Sequence, residues 1–199
     1  MTHSLFDIKG KKAVITGGPR GLGFSMAEGL MEAGCETVII GSSDKVFEVA
    51  KEFQSKGFKC VGVKGNLAER KEVTSSFEKA VESLGNDIDI LISAAGIQRR
   101  HPFEEFPIEE WDEVLAVHLN AVFIQNQLAS RIMLKKGYGK IINIASMISF
   151  FGGQTVSAYA AAKGAIMQLT KAMSNDLFAK GINVNAIAPG YMATEMNSA

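Results

Sequence analysis

Six short runs rich in β-branched apolar residues recur along the chain, at Lys12–Thr16, Glu36–Ile40, Lys59–Val63, Asp89–Ile92, Lys140–Ile144 and Asn183–Ile187. Between them lie longer stretches with apolar residues at helical spacing, among them Leu22–Ala33, Glu69–Leu84, Ile108–Leu134 and Ala158–Ala179. Runs that are apolar on both faces suit parallel strands covered by helices on each side. Strict alternation of the two patterns predicts an α/β fold, a doubly wound parallel sheet in three α/β/α layers. No repeat, low-complexity tract or linker divides it, so residues 1–199 are read as a single domain. Ligands of such sheets bind beyond the carboxyl ends of the strands, so functional residues are expected just after each run.

The remaining bulk properties narrow the class. Twenty-one basic and twenty-one acidic side chains cancel, which leaves no overall field favouring nucleic acid or an anionic membrane surface. The first twelve residues are too polar for a signal peptide, and no apolar run approaches membrane-spanning length. Cys35 and Cys60 each lie beside an apolar run and read as buried thiols of a reducing compartment, so a cytoplasmic protein is expected. His101 and His118 lack partners at metal-ligand spacing, His3 falls in the N-terminal stretch, and no metal site is expected. Trp111, the phenylalanines and the nine methionines read as packing residues.

The first strand runs into Gly17-Gly18-Pro19-Arg20-Gly21-Leu22-Gly23 and then a helix. Gly17, Gly21 and Gly23 can turn the chain tightly and let a pyrophosphate approach the backbone, while the helix start presents free N–H groups and a positive dipole end. The expected ligand is therefore a dinucleotide, with Arg20 and Leu22 beside it. An acidic residue at the end of the second strand would bind the ribose hydroxyls of NAD and repel a 2′-phosphate. Gly41, Ser42 and Ser43 stand there instead, Asp44 comes slightly late, and Arg20 and Lys45 can face a phosphate. This favours NADP, with NAD left open. Asn66 and Leu67 after the third strand can meet an adenine edge, and the small residues Ser93-Ala94-Ala95-Gly96 after the fourth let a cofactor pass close to the backbone.

Tyr159 and Lys163 stand at i and i+4 on one helix face. A phenol ordinarily titrates near 10, and a neighbouring ammonium and an oxidised nicotinamide are both expected to lower that value. Ser146, at the end of the fifth strand, can polarise a substrate carbonyl. Asn120, in the stretch Ile108–Leu134, can hold a water that connects Lys163 to solvent.

Taken together, Thr16-Gly-x-x-x-Gly-x-Gly23, Ser93-Ala-Ala-Gly96, the set Asn120, Ser146, Tyr159 and Lys163, and Ala188-Pro189-Gly190 with Thr194 resemble the short-chain dehydrogenase/reductase family from about Leu5 onward. The resemblance implies an NAD(P)-dependent oxidoreductase that interconverts a secondary alcohol and a ketone. It also implies contacts of Pro189, Gly190 and Thr194 with the nicotinamide end, and of Lys163 with its ribose. Packing of the helices Ile108–Leu134 and Ala158–Ala179 across a homodimer or homotetramer is a further implication. Ser93-Ala94 and Asn66 depart mildly from the family pattern. Members usually continue through a substrate-covering helical lobe and a last strand, so a fold without these is expected for a sequence ending at Ala199.

Gly96-Ile97-Gln98-Arg99-Arg100, Lys140-Ile-Ile-Asn-Ile-Ala-Ser-Met147 and Ala188-Pro-Gly-Tyr-Met-Ala-Thr194 are similar to the sugar-acid members of the family, which act on gluconate, 5-keto-gluconate or deoxy-gluconates. Arg100, with Arg99 in reserve, is expected to grip the carboxylate, because guanidinium binds carboxylate through two bonds. The alternative is that either arginine pairs with Glu104, Glu105 or a neighbouring subunit. Gly152, Gly153 and Gln154, after Ser146, are expected to line the pocket. Two other functions stay open: reduction of a different ketone, of 3-oxoacyl or steroid type, and a non-catalytic dinucleotide-binding module.

Overall fold

A computed structural model describes residues 7–192. Its strands are β1 Lys12–Thr16, β2 Glu36–Gly41, β3 Cys60–Lys64, β4 Ile90–Ser93, β5 Gly139–Ile144 and β6 Ile182–Ile187. They form one sheet in the order β3-β2-β1-β4-β5-β6, every neighbour parallel. The strand order reverses between β1 and β4, which opens a crevice at their carboxyl ends.

Alternate residues of each strand feed the two helical layers, as the strand period of two requires. Val14, Val38, Leu91 and Ile141 join Phe77 of α3 (Arg70–Ser83), Met133 of α5 (Ala121–Lys136) and Leu177 of α7 (Ser157–Leu177) in one core cluster. Ile15, Ile39 and Ile92 join Ala27 and Met31 of α1 (Gly21–Glu32) and Phe53 of α2 (Lys45–Ser55) in the other. Each fully buried Ile, Leu or Phe contributes about 1.5–3 kcal/mol relative to exposure, so the sheet is fixed by burial on both faces.

The expected strands are all present, with ends moved by one residue where pairing extends past the apolar run. Helix α2 arises from Val46, Val49, Ala50 and Phe53, a buried stripe at helical spacing. The stretch Ile108–Leu134 is not one helix. It divides into α4 (Ile108–Leu115), a single π turn over Ala116–Asn120, and α5. A π turn packs one extra residue into the helical circuit, so the side chains beyond it face differently from those of an uninterrupted α-helix. After β5 comes the short helix α6 (Ile148–Phe151). No helix among the described residues is long and apolar enough to cross a membrane.

Candidate active site

The turn after β1 is built by close backbone approach. A Cβ on Gly17, which has φ +73°, would lie 2.8 Å from Ala95 Cα, and one on Gly23 would press into the Gly17 carbonyl oxygen. The strip after β4 can therefore cross directly over the turn, where the Ala95 N–H donates to Thr16 Oγ1 at 3.2 Å. Helix α1 starts here with no acidic residue in its first turn, so its N-terminal N–H groups and dipole are left for an anion.

These elements frame a cleft of about 580 Å³, a size typical of cofactor and substrate sites. Gly17, Arg20, Gly21, Leu22 and Gly23 form one wall, and Ser42, Ser43, Lys45, Asn66 and Leu67 continue it past β2 and β3. Ala95 and Gly96 lie across from them, and Pro189 and Gly190 close the far end. Thr194 lies outside the described residues. Asp44 is drawn to Lys64, its Oδ1 accepting from Nζ at 3.0 Å, and it does not line the cleft, whereas the Lys45 and Arg20 cations do. The donor set (backbone N–H groups at a helix start, then hydroxyls and two cations) fits a dinucleotide carrying an extra phosphate.

Ser146, Tyr159 and Lys163 meet in the same cleft. Ser146 follows β5 and its Oγ accepts from the Ile148 N–H at 3.2 Å. Its own N–H donates to Ser149 Oγ at 3.2 Å, and the Ser149 hydroxyl donates to the Lys163 carbonyl at 2.7 Å. Ser149 thus ties the end of β5 to the turn of α7 that carries Lys163. The Met147 N–H donates to the Pro189 carbonyl at 3.1 Å, which fixes the Pro-Gly turn to the same corner.

The electrostatics differ from the sequence expectation. Burial raises the Tyr159 phenol above its usual value and outweighs the opposing hydrogen bond of Ser146. Lys163 is buried, its Nζ donating to the Ile144 carbonyl at 2.5 Å, and burial pushes it down to about 7. Its Nζ lies 5.5 Å from the centroid of the Tyr159 ring. The phenol therefore holds its proton at neutral pH, where it is ready to act as a donor.

A stability consequence follows from Lys163. The unfolded lysine titrates near 10.5 and the folded one at about 7, so between these values the unfolded chain binds more protons and stability rises with pH. Above pH 9 the burial-raised thiols of Cys35 and Cys60, which ionise near 9.0 when unfolded, oppose the trend. Between about pH 7 and 9 the folded protein should gain about 2–3 kcal/mol from this group. Lys163→Met should flatten that rise in thermal melts, and parallel slopes for the two proteins would contradict the assignment.

Several expected site residues stand elsewhere. Asn120 ends the π turn and does not itself line the cleft, to which this stretch contributes Glu113, Val117 and His118. In the sequence His118 carries no signal beyond its place in the same helical stretch as Asn120. Gly152 and Gln154, with Gly153, also fall outside the wall, since α6 carries the chain away and leaves Met147 and Ile148 beside the cleft. Arg99 is engaged by acids, although not by Glu104 or Glu105: its Nη2 lies 2.7 Å from Glu113 Oε2 and its Nε 3.6 Å from Glu110 Oε2. Arg100 lines the cleft, exposed.

Comparison with known proteins adds a family. The family described as short chain dehydrogenase matches residues 11–199. The 5-keto-D-gluconate 5-reductase of Escherichia coli is 41% identical over 198 residues, covering 99% of this chain and 78% of that protein. The 2-dehydro-3-deoxy-D-gluconate 5-dehydrogenase of Bacillus subtilis is 42% identical over 192 residues, covering 96% and 75%. Among solved structures, a gluconate 5-dehydrogenase from Burkholderia cenocepacia in complex with NADP and tartrate superposes with a TM-score of 0.90 at 40% identity, covering 97% of this chain and 76% of that one.

Proposed function

The chain belongs to the short chain dehydrogenase family, and on that footing we propose that it is an NAD(P)-dependent oxidoreductase interconverting a hydroxyl and a ketone on a sugar acid of the gluconate type. The observation that carries the reading is one cleft holding Ser146, Tyr159, Lys163, the glycine turn and the exposed cation Arg100. Residues 1–199 act as one unit that binds cofactor and carries out the chemistry. NADP is favoured over NAD because Arg20, Lys45, Ser42 and Ser43 face the cleft while Asp44 is held by Lys64.

When bound, the nicotinamide supplies or accepts the hydride. The chain's own residues handle position and protons. The Ser146 hydroxyl donates to the substrate carbonyl oxygen and polarises it. Tyr159 Oη gives that oxygen a proton as the ketone becomes an alcohol, and takes it back in the reverse direction. Lys163 holds the cofactor ribose and supports the phenolate left on Tyr159. Gly17, Gly21 and Gly23, with Leu22, would cradle the pyrophosphate; Asn66 and Leu67 would meet the adenine end; Ala95, Gly96, Pro189 and Gly190 would meet the nicotinamide end, where the family resemblance alone assigns Thr194.

Arg100 is proposed to bind the hexonate carboxylate. With Arg99 neutralised by Glu113 and Glu110, it is the guanidinium left to do so on that side of the cleft, and among the described residues it has no ion pair. A charge-assisted bond of this kind is worth about 1.5–3 kcal/mol. Arg100→Ala should therefore raise KM for gluconate or 5-keto-gluconate about 10–100-fold with a smaller change in kcat. An unchanged KM would remove the carboxylate role.

A homodimer or homotetramer is proposed through the outer face of α4 and α5, where Ile108, Phe123 and Leu134 are exposed. A reducing, cytoplasmic setting accords with two free thiols, of which Cys60 is pushed by burial up to about 12 and is inert as a nucleophile.

A further inference from the structure

His118 stands on the π turn and lines the cleft, only 2% exposed. Its Nε2 lies 3.0 Å from the Ile97 nitrogen and 2.8 Å from the Ile97 carbonyl oxygen, so either tautomer finds a partner on the same backbone strip. The strip comes so close that a Cβ on Gly96 would sit 2.6 Å from His118 Cε1. On its other side the imidazole meets Tyr159 edge to face, with centroids 5.1 Å apart and planes at 90°. Burial and the Lys163 charge press its pKa down to about 3, so the ring is neutral wherever the protein works. His118 Nδ1 is buried without a hydrogen-bond partner among the described residues.

We propose that His118 is a positioning residue, a wedge that fixes the Tyr159 ring relative to the Gly96–Ile97 strip and so sets the distance between the proton donor and the nicotinamide end of the cleft. The proposal rests on the oxidoreductase reading above. Three features of an imidazole serve this role together. One ring edge bonds the Ile97 backbone, the flat ring seats Tyr159, and the absence of charge avoids repelling Lys163. Phenylalanine would supply the ring without the backbone bond, and alanine would supply neither. The groups facing His118 are Tyr159 and Lys163 from α7 and the backbone of Gly96 and Ile97 from the strip after β4.

The test uses His118→Phe and His118→Ala in the full chain, with two readouts. In turnover, both variants should lose about 10–100-fold in kcat, since small misplacements of a reacting group cost that much, while the substrate KM stays within about threefold. Without cofactor or substrate, the phenolate absorbance of Tyr159 is titrated, with the Tyr159→Phe protein as the blank. In His118→Ala, water reaches the phenol and its apparent pKa should fall by at least about half a unit, whereas His118→Phe should keep it raised. A kcat within about twofold of the parent in either variant, or an unshifted phenol in His118→Ala, overturns the proposal even if the melting temperature drops. If the parent enzyme turns over no sugar acid, the functional reading fails by itself, and the titration still decides the role of His118.

Discussion

Tyr159→Phe is expected to lower kcat by about 10²–10⁴-fold, the range that general acid catalysis contributes, while cofactor affinity stays within a few-fold of the parent. The phenol is raised by burial and keeps its proton at neutral pH, so removing the hydroxyl deletes the group proposed to transfer the proton and leaves the ring. The ring still packs against His118, whose edge-to-face contact does not involve the hydroxyl. A structural loss would lower stability and cofactor binding together; a chemical loss lowers turnover alone. Titration of the bound cofactor beside steady-state kinetics separates them. A Tyr159→Phe protein with kcat within about tenfold of the parent would place the proton transfer on another group.

The second large effect belongs to the glycine turn. Gly23→Ala drives a methyl group into the Gly17 carbonyl, a backbone atom that can move only by deforming the turn. Overpacking of this kind costs about 1–3 kcal/mol in stability, and the deformation falls where the pyrophosphate is held, so cofactor affinity should fall more than about tenfold. Gly29→Ala, on the same helix, is the control. Nothing lies within 4 Å of its added Cβ, so it should stabilise the helix by about 0.5–1 kcal/mol and leave binding unchanged. Equal effects of the two substitutions on binding would mean that the turn does not hold the cofactor.

Much of this arrangement was readable in the sequence because it rests on short-range periodicity. Strands such as Val14-Ile15 and Ile39-Ile40 are apolar on both faces since both faces are covered, and a parallel sheet was the only consistent packing. Tyr159 and Lys163 needed only an α-helical frame, and α7 provides one without interruption from Ser157 to Leu177. What stayed hidden depended on the frame changing. Within the π turn at Ala116–Asn120 it is His118, not Asn120, that lines the cleft, and no spacing rule for a regular helix reveals that. Likewise α6 is four residues long, too short to leave a periodic signal, yet it decides that Gly152 and Gln154 stand away from the cleft. Arg99 and Arg100 are adjacent and chemically identical in sequence. Only the fold puts Glu110 and Glu113 of α4 beside the first of them. The direction of the Tyr159 shift is hidden for a similar reason: the ammonium is visible in the sequence and the burial that raises the phenol is not.

The proposed reduction of a keto group on a sugar acid in this cleft, with a nicotinamide cofactor, is open to direct measurement. The most direct measurement follows nicotinamide absorbance with 5-keto-gluconate and NADPH in one arm, and gluconate with NADP in the other. A parallel set uses NADH and NAD, and a 3-oxoacyl substrate and a steroid ketone serve as comparators. Saturable turnover is expected in both directions with the hexonates, stronger with the phosphorylated cofactor, and little with the comparators. Cofactor binding without turnover of any hexonate, or turnover confined to the other ketones, would contradict it.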